Sequence, residues 1–294
     1  MNIRDLQYFA AVADLQHFGH AAERCFVSQP TLSGQIKKLE AELDVTLFER
    51  NNRNVMLTET GEEVLRSAQR ILREVDTIHD VAKSHRDPLS GKFRLGAFPT
   101  LAPYVLPQVV PKVRDSLPAL RLILIEEKTA VLIDKLLSGE IDAALLALPL
   151  HESALNVHPL FEDEFLLAVS SDHELAEESE VSQSAISERQ LLLLEEGHCL
   201  RDQALEVCNL NRIAEEQEFR ATSLETLRQM VKAGTGITFM PRIAVRTDDA
   251  GIRYIPFSGQ PPKRTIGLVW RKTTARKSLM DAFVELLSTL AVAD

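Results

Sequence analysis

Two cysteines nine residues apart carry the most reactive chemistry in this sequence. Cys199 and Cys208 share one polar segment, and His198 and Arg201 lie close to the first of them. A neighbouring cation favours the thiolate, which is the nucleophilic form of cysteine. A thiolate can attack a peroxide to give a sulfenic acid, and a second thiol can then condense with that acid to form a disulfide. The pair therefore predicts a redox site, with Cys208 as the resolving partner.

The spacing of the two cysteines indicates a switch. If residues 199–208 were helical, nine residues would rise about 13.5 Å, whereas a disulfide needs Cα atoms roughly 4.4–6.8 Å apart. Bond formation would therefore remodel the segment, and such a change can shift a subunit interface. Two alternatives stay open: unrelated packing cysteines, and a zinc site of His198, Cys199 and Cys208. That zinc site would lack a fourth ligand and the usual close cysteine spacing, so we expect no metal.

Composition bounds the class of protein. Three cysteines in 294 residues are too few for a disulfide scaffold, and Cys25 is predicted to be a small buried apolar residue. The N-terminus has no signal peptide, and no stretch approaches the ~20 apolar residues that span a bilayer. We therefore expect a cytoplasmic protein with no membrane partner and no cofactor. In the cytoplasm a disulfide would be a signal, because thiols there are kept reduced.

The charge limits how the chain could bind DNA. The net charge is -10, and acidic residues also outnumber basic ones within residues 1–90. The charge therefore argues against a general nucleic-acid coat. Any contact with double-stranded DNA has to come from basic side chains gathered on one face.

The first 58 residues predict a winged helix-turn-helix. Helices are expected at 3–14 and 18–24, and a third runs from an N-cap at Ser28 to about residue 43. Two β-prone runs, 47–50 and 55–58, then form a hairpin wing. The start of the third helix carries small hydrogen-bonding side chains suited to bases or phosphates: Ser28, Gln29, Pro30, Thr31 and Ser33. Nearby basic residues suit phosphates: Lys37, Lys38, Arg50 and Arg53. A helical protein–protein module is the alternative.

The remainder predicts a dimerising linker and an α/β domain. Residues 59–83 form a long amphipathic helix that we expect to pair with a second copy, and the linker with its hinge spans 59–90. In residues 91–294 strands and helices alternate. The strands are expected at 93–98, 120–126, 143–148, 165–170, 191–195, 219–222, 237–240 and 264–270, and the helices at 103–116, 129–138, 223–233 and 275–291.

Several motifs resemble the LysR-type regulators. They are Phe18-x-x-Ala21-Ala22-x-x-x-x-Val27-Ser28-Gln29-Pro30-Thr31-Leu32-Ser33-x-x-Ile36-x-x-Leu39-Glu40, Leu47-Phe48-Glu49-Arg50, Leu57-Thr58-x-x-Gly61 and Gly234-Thr235-Gly236-Ile237-Thr238-Phe239-Met240-Pro241. The resemblance implies a regulatory domain like a periplasmic binding protein, with two α/β subdomains joined by crossover strands. Subdomain I would be about 91–161 with 268–294, and subdomain II about 162–267.

Two further segments resemble the peroxide-sensing branch of that family: Gly197-His198-Cys199-Leu200-Arg201-Asp202-Gln203 and Phe219-Arg220-Ala221-Thr222-Ser223-Leu224-Glu225-Thr226-Leu227. The resemblance implies that Cys199 reacts with hydrogen peroxide and that Thr100, Thr129 and His198 help to hold it. Arg201 joins this predicted pocket, and Arg264 would lie nearby as a positive charge. Thr100 also follows a predicted strand, where cleft ligands bind. Simple helix capping is the alternative for both threonines.

The same resemblance implies partners. We expect a dimer of dimers that binds promoter operators of antioxidant genes, acts with RNA polymerase, and is reset by glutaredoxin or thioredoxin. Such a sensor is not an enzyme. Two alternatives remain: a regulator that binds a small effector in the cleft between subdomains, with incidental cysteines, and a thiol peroxidase tethered to DNA.

Overall fold

A computed structural model describes residues 1–51, 54–84, 87–186, 191–195, 215–246 and 249–290. The chain divides into two compact units, Met1–His85 and Arg86–Asp294, and each is considered by itself. None of the helices in the described ranges has both the length and the apolar character needed to cross a membrane.

The first unit is three short helices, a hairpin and a long helix. Its elements are α1 (Ile3–Leu15), α2 (Phe18–Arg24), α3 (Gln29–Leu43), β1 (Phe48–Asn51), β2 (Asn54–Leu57) and α4 (Glu59–Ser84). Ser28 caps α3 by accepting a hydrogen bond from the Thr31 amide, and Pro30 sits in the first turn, as predicted. Leu32, Ile36 and Leu39 of α3 are buried in the core of this unit.

The motif Leu57-Thr58-x-x-Gly61 joins the wing to α4. The Thr58 hydroxyl donates to the Thr46 carbonyl at 2.7 Å and accepts from the Gly61 amide at 2.9 Å. A Cβ at Gly61 would overlap the carbonyl oxygen of Leu47, the residue before β1. Only glycine therefore allows α4 to begin this close to the strand, which fixes the wing against the helix.

The second unit is mixed α/β. Its elements are β3 (Gly91–Ala97), α5 (Ala102–Ser116), β4 (Leu120–Glu126), α6 (Thr129–Ser138), β5 (Ala143–Leu148), β6 (Leu155–Ser170), β7 (Leu191–Leu194), β8 (Glu215–Ala221), α7 (Leu224–Lys232), β9 (Thr238–Pro241), β10 (Ile252–Ile255), β11 (Lys263–Arg271) and α8 (Lys277–Leu287). Short 3-10 turns occupy Gln183–Ile186 and Arg242–Ala244.

Two separate apolar cores divide this unit into subdomains. The first core includes residues of β3, α5, β5 and α8, and the second includes residues of β7, α7, β9 and β10. The main sheet has the order β10-β6-β11-β5-β3-β4, and β9 also pairs with β6. β6 contributes Leu155 to the first core and Phe165 to the second. β6 and β11 are antiparallel partners, so they form the crossover, and the predicted architecture of two joined α/β subdomains is confirmed.

Several element predictions differ from the structure, including β8, which begins at Glu215, four residues before the predicted strand. β6 begins at Leu155, ten residues before the predicted strand, because its polar first half pairs with β11. β10 was not predicted, although it pairs with the second half of β6. The closing helix spans Lys277–Leu287, which is shorter than the predicted 275–291.

Candidate functional site

The start of α3 is exposed, as a DNA-reading helix requires. Ser28, Gln29, Pro30 and Thr31 are exposed, and Ser33 is half-buried. The Ser28 and Thr31 hydroxyls lie 2.8 Å apart and are hydrogen-bonded to each other. Both hydroxyls are therefore engaged in holding the start of the helix. Gln29 has the longest hydrogen-bonding side chain of this set.

The predicted phosphate-contacting residues fall into two groups. Lys37 and Lys38 are exposed on α3. Arg50 lies on β1 opposite Val55, but its side chain lies outside the described part of the structure. Arg53 also lies outside the described residues. The structure thus places two of the four basic side chains on the same helix as Gln29.

Cys25 differs from its prediction as a buried residue. It is half-buried at the C-terminal end of α2 and lines a cavity of about 570 Å³ with Arg4, Tyr8, Arg24 and Phe26, among others. Partial burial raises the pKa of the Cys25 thiol, and the Arg24 charge only partly opposes this. The thiol is therefore less ionised at neutral pH than an ordinary cysteine, which makes it a weaker nucleophile.

In the second unit, Thr100 and Thr129 follow neighbouring strands. β3 and β4 are parallel, with Ala97 opposite Glu126. Each threonine lies three residues beyond its strand end. The carboxyl ends of parallel strands meet at one sheet edge, where ligands bind in open α/β folds. Both threonines therefore lie at the same edge of the sheet of subdomain I.

Thr100 is tied to a buried ion pair on the crossover strands. The Arg264 guanidinium donates to the Thr100 hydroxyl at 3.0 Å and to the Thr100 carbonyl at 3.3 Å. The same group pairs with Asp163, with N–O distances of 2.8 and 2.9 Å. Both charged side chains are fully buried. Arg264 and Asp163 are direct partners in the β11–β6 register, so the pair sits where the strands pass between subdomains.

Asp163 was missed by the sequence reasoning. Its second oxygen accepts from the Ile243 amide at 3.1 Å, and the Arg264 guanidinium lies 5.2 Å from the Phe98 ring centre and 5.7 Å from that of Phe165. Arg264 is therefore a cation that Asp163 neutralises in an aromatic setting. An acidic run such as Phe161-Glu162-Asp163-Glu164 normally indicates a solvated surface, so no local pattern marks Asp163.

Thr129 has a buried hydroxyl that bonds to no residue in the described part of the chain. It is the first residue of α6, and the N-cap residue Lys128 makes no side-chain capping bond. The Thr129 hydroxyl is shielded from solvent and has no hydrogen-bond partner among the described residues. Thr100 likewise does not cap α5, so capping is the wrong explanation for both threonines. A buried polar atom without a partner calls for a specific cause, such as a bound polar molecule.

The predicted redox residues follow directly after β7. Glu195 follows the last residue of that strand, and its amide donates to the Ala221 carbonyl at 3.0 Å. Its carboxylate pairs with Lys128 at 2.5 Å. His198, Cys199, Arg201 and Cys208 lie outside the described residues. The structure thus brings the chain that leads into the redox segment against the residue that precedes Thr129.

Comparison with known proteins agrees with this organisation. Residues 3–62 match the model for bacterial regulatory helix-turn-helix proteins of the lysR family, and residues 86–291 match the LysR substrate binding domain. The chain is 45% identical over 273 residues to a hydrogen peroxide-inducible genes activator of Dickeya chrysanthemi, covering 92% of this chain and 90% of that one.

Solved structures give the same result. A full-length OxyR variant of Pseudomonas aeruginosa matches with a TM-score of 0.79 and 36% identity, over 100% of this chain and 96% of that one. An H2O2-bound mutant of Corynebacterium glutamicum OxyR matches with a TM-score of 0.67 and 34% identity, over 98% and 91% of the two chains. The chain therefore belongs to the LysR family of bacterial regulatory helix-turn-helix proteins, in the group whose members are named OxyR.

Proposed function

We propose that this protein is a DNA-binding regulator that senses hydrogen peroxide through a reversible disulfide between Cys199 and Cys208 and controls antioxidant genes. One observation carries the proposal. The chain is 45% identical, over 92% of its length, to a protein named a hydrogen peroxide-inducible genes activator. Two cysteines at residues 199 and 208 supply the chemistry that such a sensor needs.

The proposed chemistry needs only the two thiols and the peroxide. The Cys199 thiolate attacks one oxygen of H2O2, the O–O bond breaks, and the departing hydroxide takes up a proton to leave as water. The sulfur is then a sulfenic acid. The Cys208 sulfur attacks it, forms the S–S bond, and releases the hydroxyl group and a proton as a second water. Two thiols are oxidised and one peroxide is reduced to two waters in each cycle.

We place the peroxide beside Thr100 and Thr129, with His198, Arg201 and Arg264 as further members of the pocket. Two observations support this placement: both threonines lie at one sheet edge, and the buried Thr129 hydroxyl has no described partner. The Arg264 guanidinium fixes the Thr100 hydroxyl. A small molecule with polar oxygens suits the unpaired hydroxyl, because it can both donate and accept hydrogen bonds there.

Thr129→Val tests this pocket. Valine keeps the shape of threonine and removes a hydroxyl that no described residue satisfies, so we expect stability to change by less than about 1 kcal/mol. The rate constant for oxidation of Cys199 should fall by about tenfold, because one good hydrogen bond is worth about that factor. Quenched-flow alkylation with mass mapping measures the rate. An unchanged rate would remove Thr129 from the pocket.

The DNA-binding role rests on the first unit. We propose that Ser28, Gln29, Pro30, Thr31 and Ser33 face the major groove, and that Lys37, Arg50 and Arg53 contact phosphates. The exposed start of α3 supports this assignment. We further propose a dimer of dimers paired through α4, action with RNA polymerase, and reduction by glutaredoxin or thioredoxin in the cytoplasm. The family is one of regulators, and we regard the peroxide step as sensing without catalytic turnover.

Serine variants separate this function from its main alternative, a regulator with a small-molecule effector in the cleft. Cys199→Ser should abolish the peroxide response in transcription assays with purified polymerase and leave DNA binding intact. Cys208→Ser should still be oxidised at Cys199 but should not switch, because no resolving thiol remains. A Cys199→Ser protein that still responded to peroxide would contradict the proposal, and Cys25→Ser provides a matched control.

A further inference from the structure

The ion pair between Lys128 and Glu195 connects the two subdomains at the proposed peroxide site. Lys128 lies between β4 and α6, which belong to the first subdomain, and Glu195 follows β7 of the second. The Lys128 ammonium lies 2.5 Å from the Glu195 carboxylate. Unlike the Arg264–Asp163 pair, this contact lies away from the crossover strands, so it joins the subdomains at a second, separate point.

Backbone hydrogen bonds hold both residues of this ion pair in place. The Glu195 amide is bonded to the Ala221 carbonyl at the end of β8, so its backbone is fixed to the second subdomain. Lys128 is the N-cap residue of α6, and its carbonyl accepts from the Leu132 amide at 3.0 Å. A bond between these two side chains therefore fixes the distance between the end of β7 and the start of α6.

The start of α6 and the chain that follows β7 contain residues that we assign to the peroxide chemistry. Thr129 directly follows Lys128, and Cys199 lies only four residues beyond Glu195 in the chain. Loss of the ion pair would release the end of β7, from which the chain continues toward Cys199, from the start of α6 next to Thr129. Misplacement of reacting groups by even an ångström lowers reaction rates.

We propose that the Lys128–Glu195 ion pair is a positioning contact that sets how fast hydrogen peroxide oxidises Cys199. This inference rests on the proposed function. The two side chains are 38% and 36% exposed, so the pair is partly screened by water and salt. Its contribution is therefore modest and sensitive to ionic strength.

The test compares oxidation rates of full-length variants. Lys128→Gln and Glu195→Gln should each slow the oxidation of Cys199 about two- to fivefold, the range that a partly exposed ion pair supports. The double variant Lys128→Glu with Glu195→Lys should restore the rate to within about twofold of the native value. Lys135→Gln is the matched control, because it breaks the Lys135–Glu140 pair of similar exposure within the first subdomain, and it should oxidise at the native rate.

A salt titration adds a second readout, and its first part is measured on the native chain alone. Peroxide is uncharged, so its encounter with the protein is insensitive to salt. Raising ionic strength from about 0.01 M to about 1 M should slow oxidation of the native chain and leave Lys128→Gln unaffected. Any one of three results would overturn the proposal: equal oxidation rates for the native chain and Lys128→Gln, no rescue by the charge swap, or equal slowing by Lys135→Gln. If the native Cys199 did not react at all, the proposed function itself would fail, and this inference with it.

Discussion

Two arginines, Arg264 and Arg228, are fully buried in the regulatory unit and are held in different ways. Arg264 pairs with Asp163, which is itself fully buried, and reaches Thr100 across the crossover. Arg228 bonds the Tyr254 hydroxyl and the Ala244 carbonyl, and it has two carboxylate partners: Glu225 at 3.2 Å, with 44% of its side chain exposed, and Asp249 at 3.9 Å, with 10% exposed. Arg264 is neutralised by a single fully buried carboxylate, whereas Arg228 shares its charge between a partly solvated carboxylate and a more distant one.

The difference distinguishes a contact at the crossover between the subdomains from a contact within the second subdomain. Burial acts to lower the pKa of Arg228, but Tyr254, Tyr104 and Glu225 together raise it above its ordinary value, so the guanidinium stays charged. Its bonds to Ala244 and Tyr254 hold α7 against other elements of the second subdomain. Arg264 instead bonds Thr100 in the loop between β3 and α5, and Asp163 of the other crossover strand. A change at Asp163 should therefore affect both stability and the proposed pocket, whereas a change at Glu225 should affect neither strongly.

Asp163→Asn should have the largest effect. It leaves a buried guanidinium without a counter-charge, which costs about 3–5 kcal/mol. For a unit of this size we expect Tm to fall by on the order of 10 °C. We also expect slower oxidation of Cys199, because the Thr100 hydroxyl loses its fixed donor. Differential scanning calorimetry of the full chain measures the fall in Tm. A Tm within about 2 °C of the native value would contradict this account of the Arg264–Asp163 pair.

Glu225→Gln is the matched variant for Arg228, and we expect it to have the smallest effect on stability. The charge lost is partly solvated, so the expected cost is below about 1 kcal/mol, and it should shrink further in high salt. Oxidation of Cys199 should proceed at the native rate. If this variant were as damaging as Asp163→Asn, exposure of the carboxylate would not be what distinguishes the two arginines.

Local patterns were sufficient for much of the fold. Ser28 before a helical repeat correctly predicted the N-cap of α3, and the helix predicted at 223–233 is observed as α7, with Ser223 as its N-cap. Alternating strands and helices correctly predicted the α/β class. The first half of β6 was missed because it contains Pro159 and several polar residues, and only pairing with β11 makes it a strand.

The site could be predicted only in part. Thr100 and Thr129 were identified by resemblance, and the structure added that neither caps its helix. Asp163 could not be identified because its partner lies 101 residues away in the chain. Cys25 was expected to be buried on the basis of residue type, whereas its position at the end of α2 leaves it half-exposed. For Asp163 the missing information was a contact distant in sequence, which no local pattern contains.

The most direct test of the central claim is a mass measurement on the full-length reduced protein after one equivalent of hydrogen peroxide. We expect the intact chain to lose two hydrogen atoms and the peptide map to show a single Cys199–Cys208 bond, with Cys25 still alkylatable. A protein in which Cys199 and Cys208 both remained free under these conditions would contradict the redox assignment and leave a LysR-family regulator with a different signal.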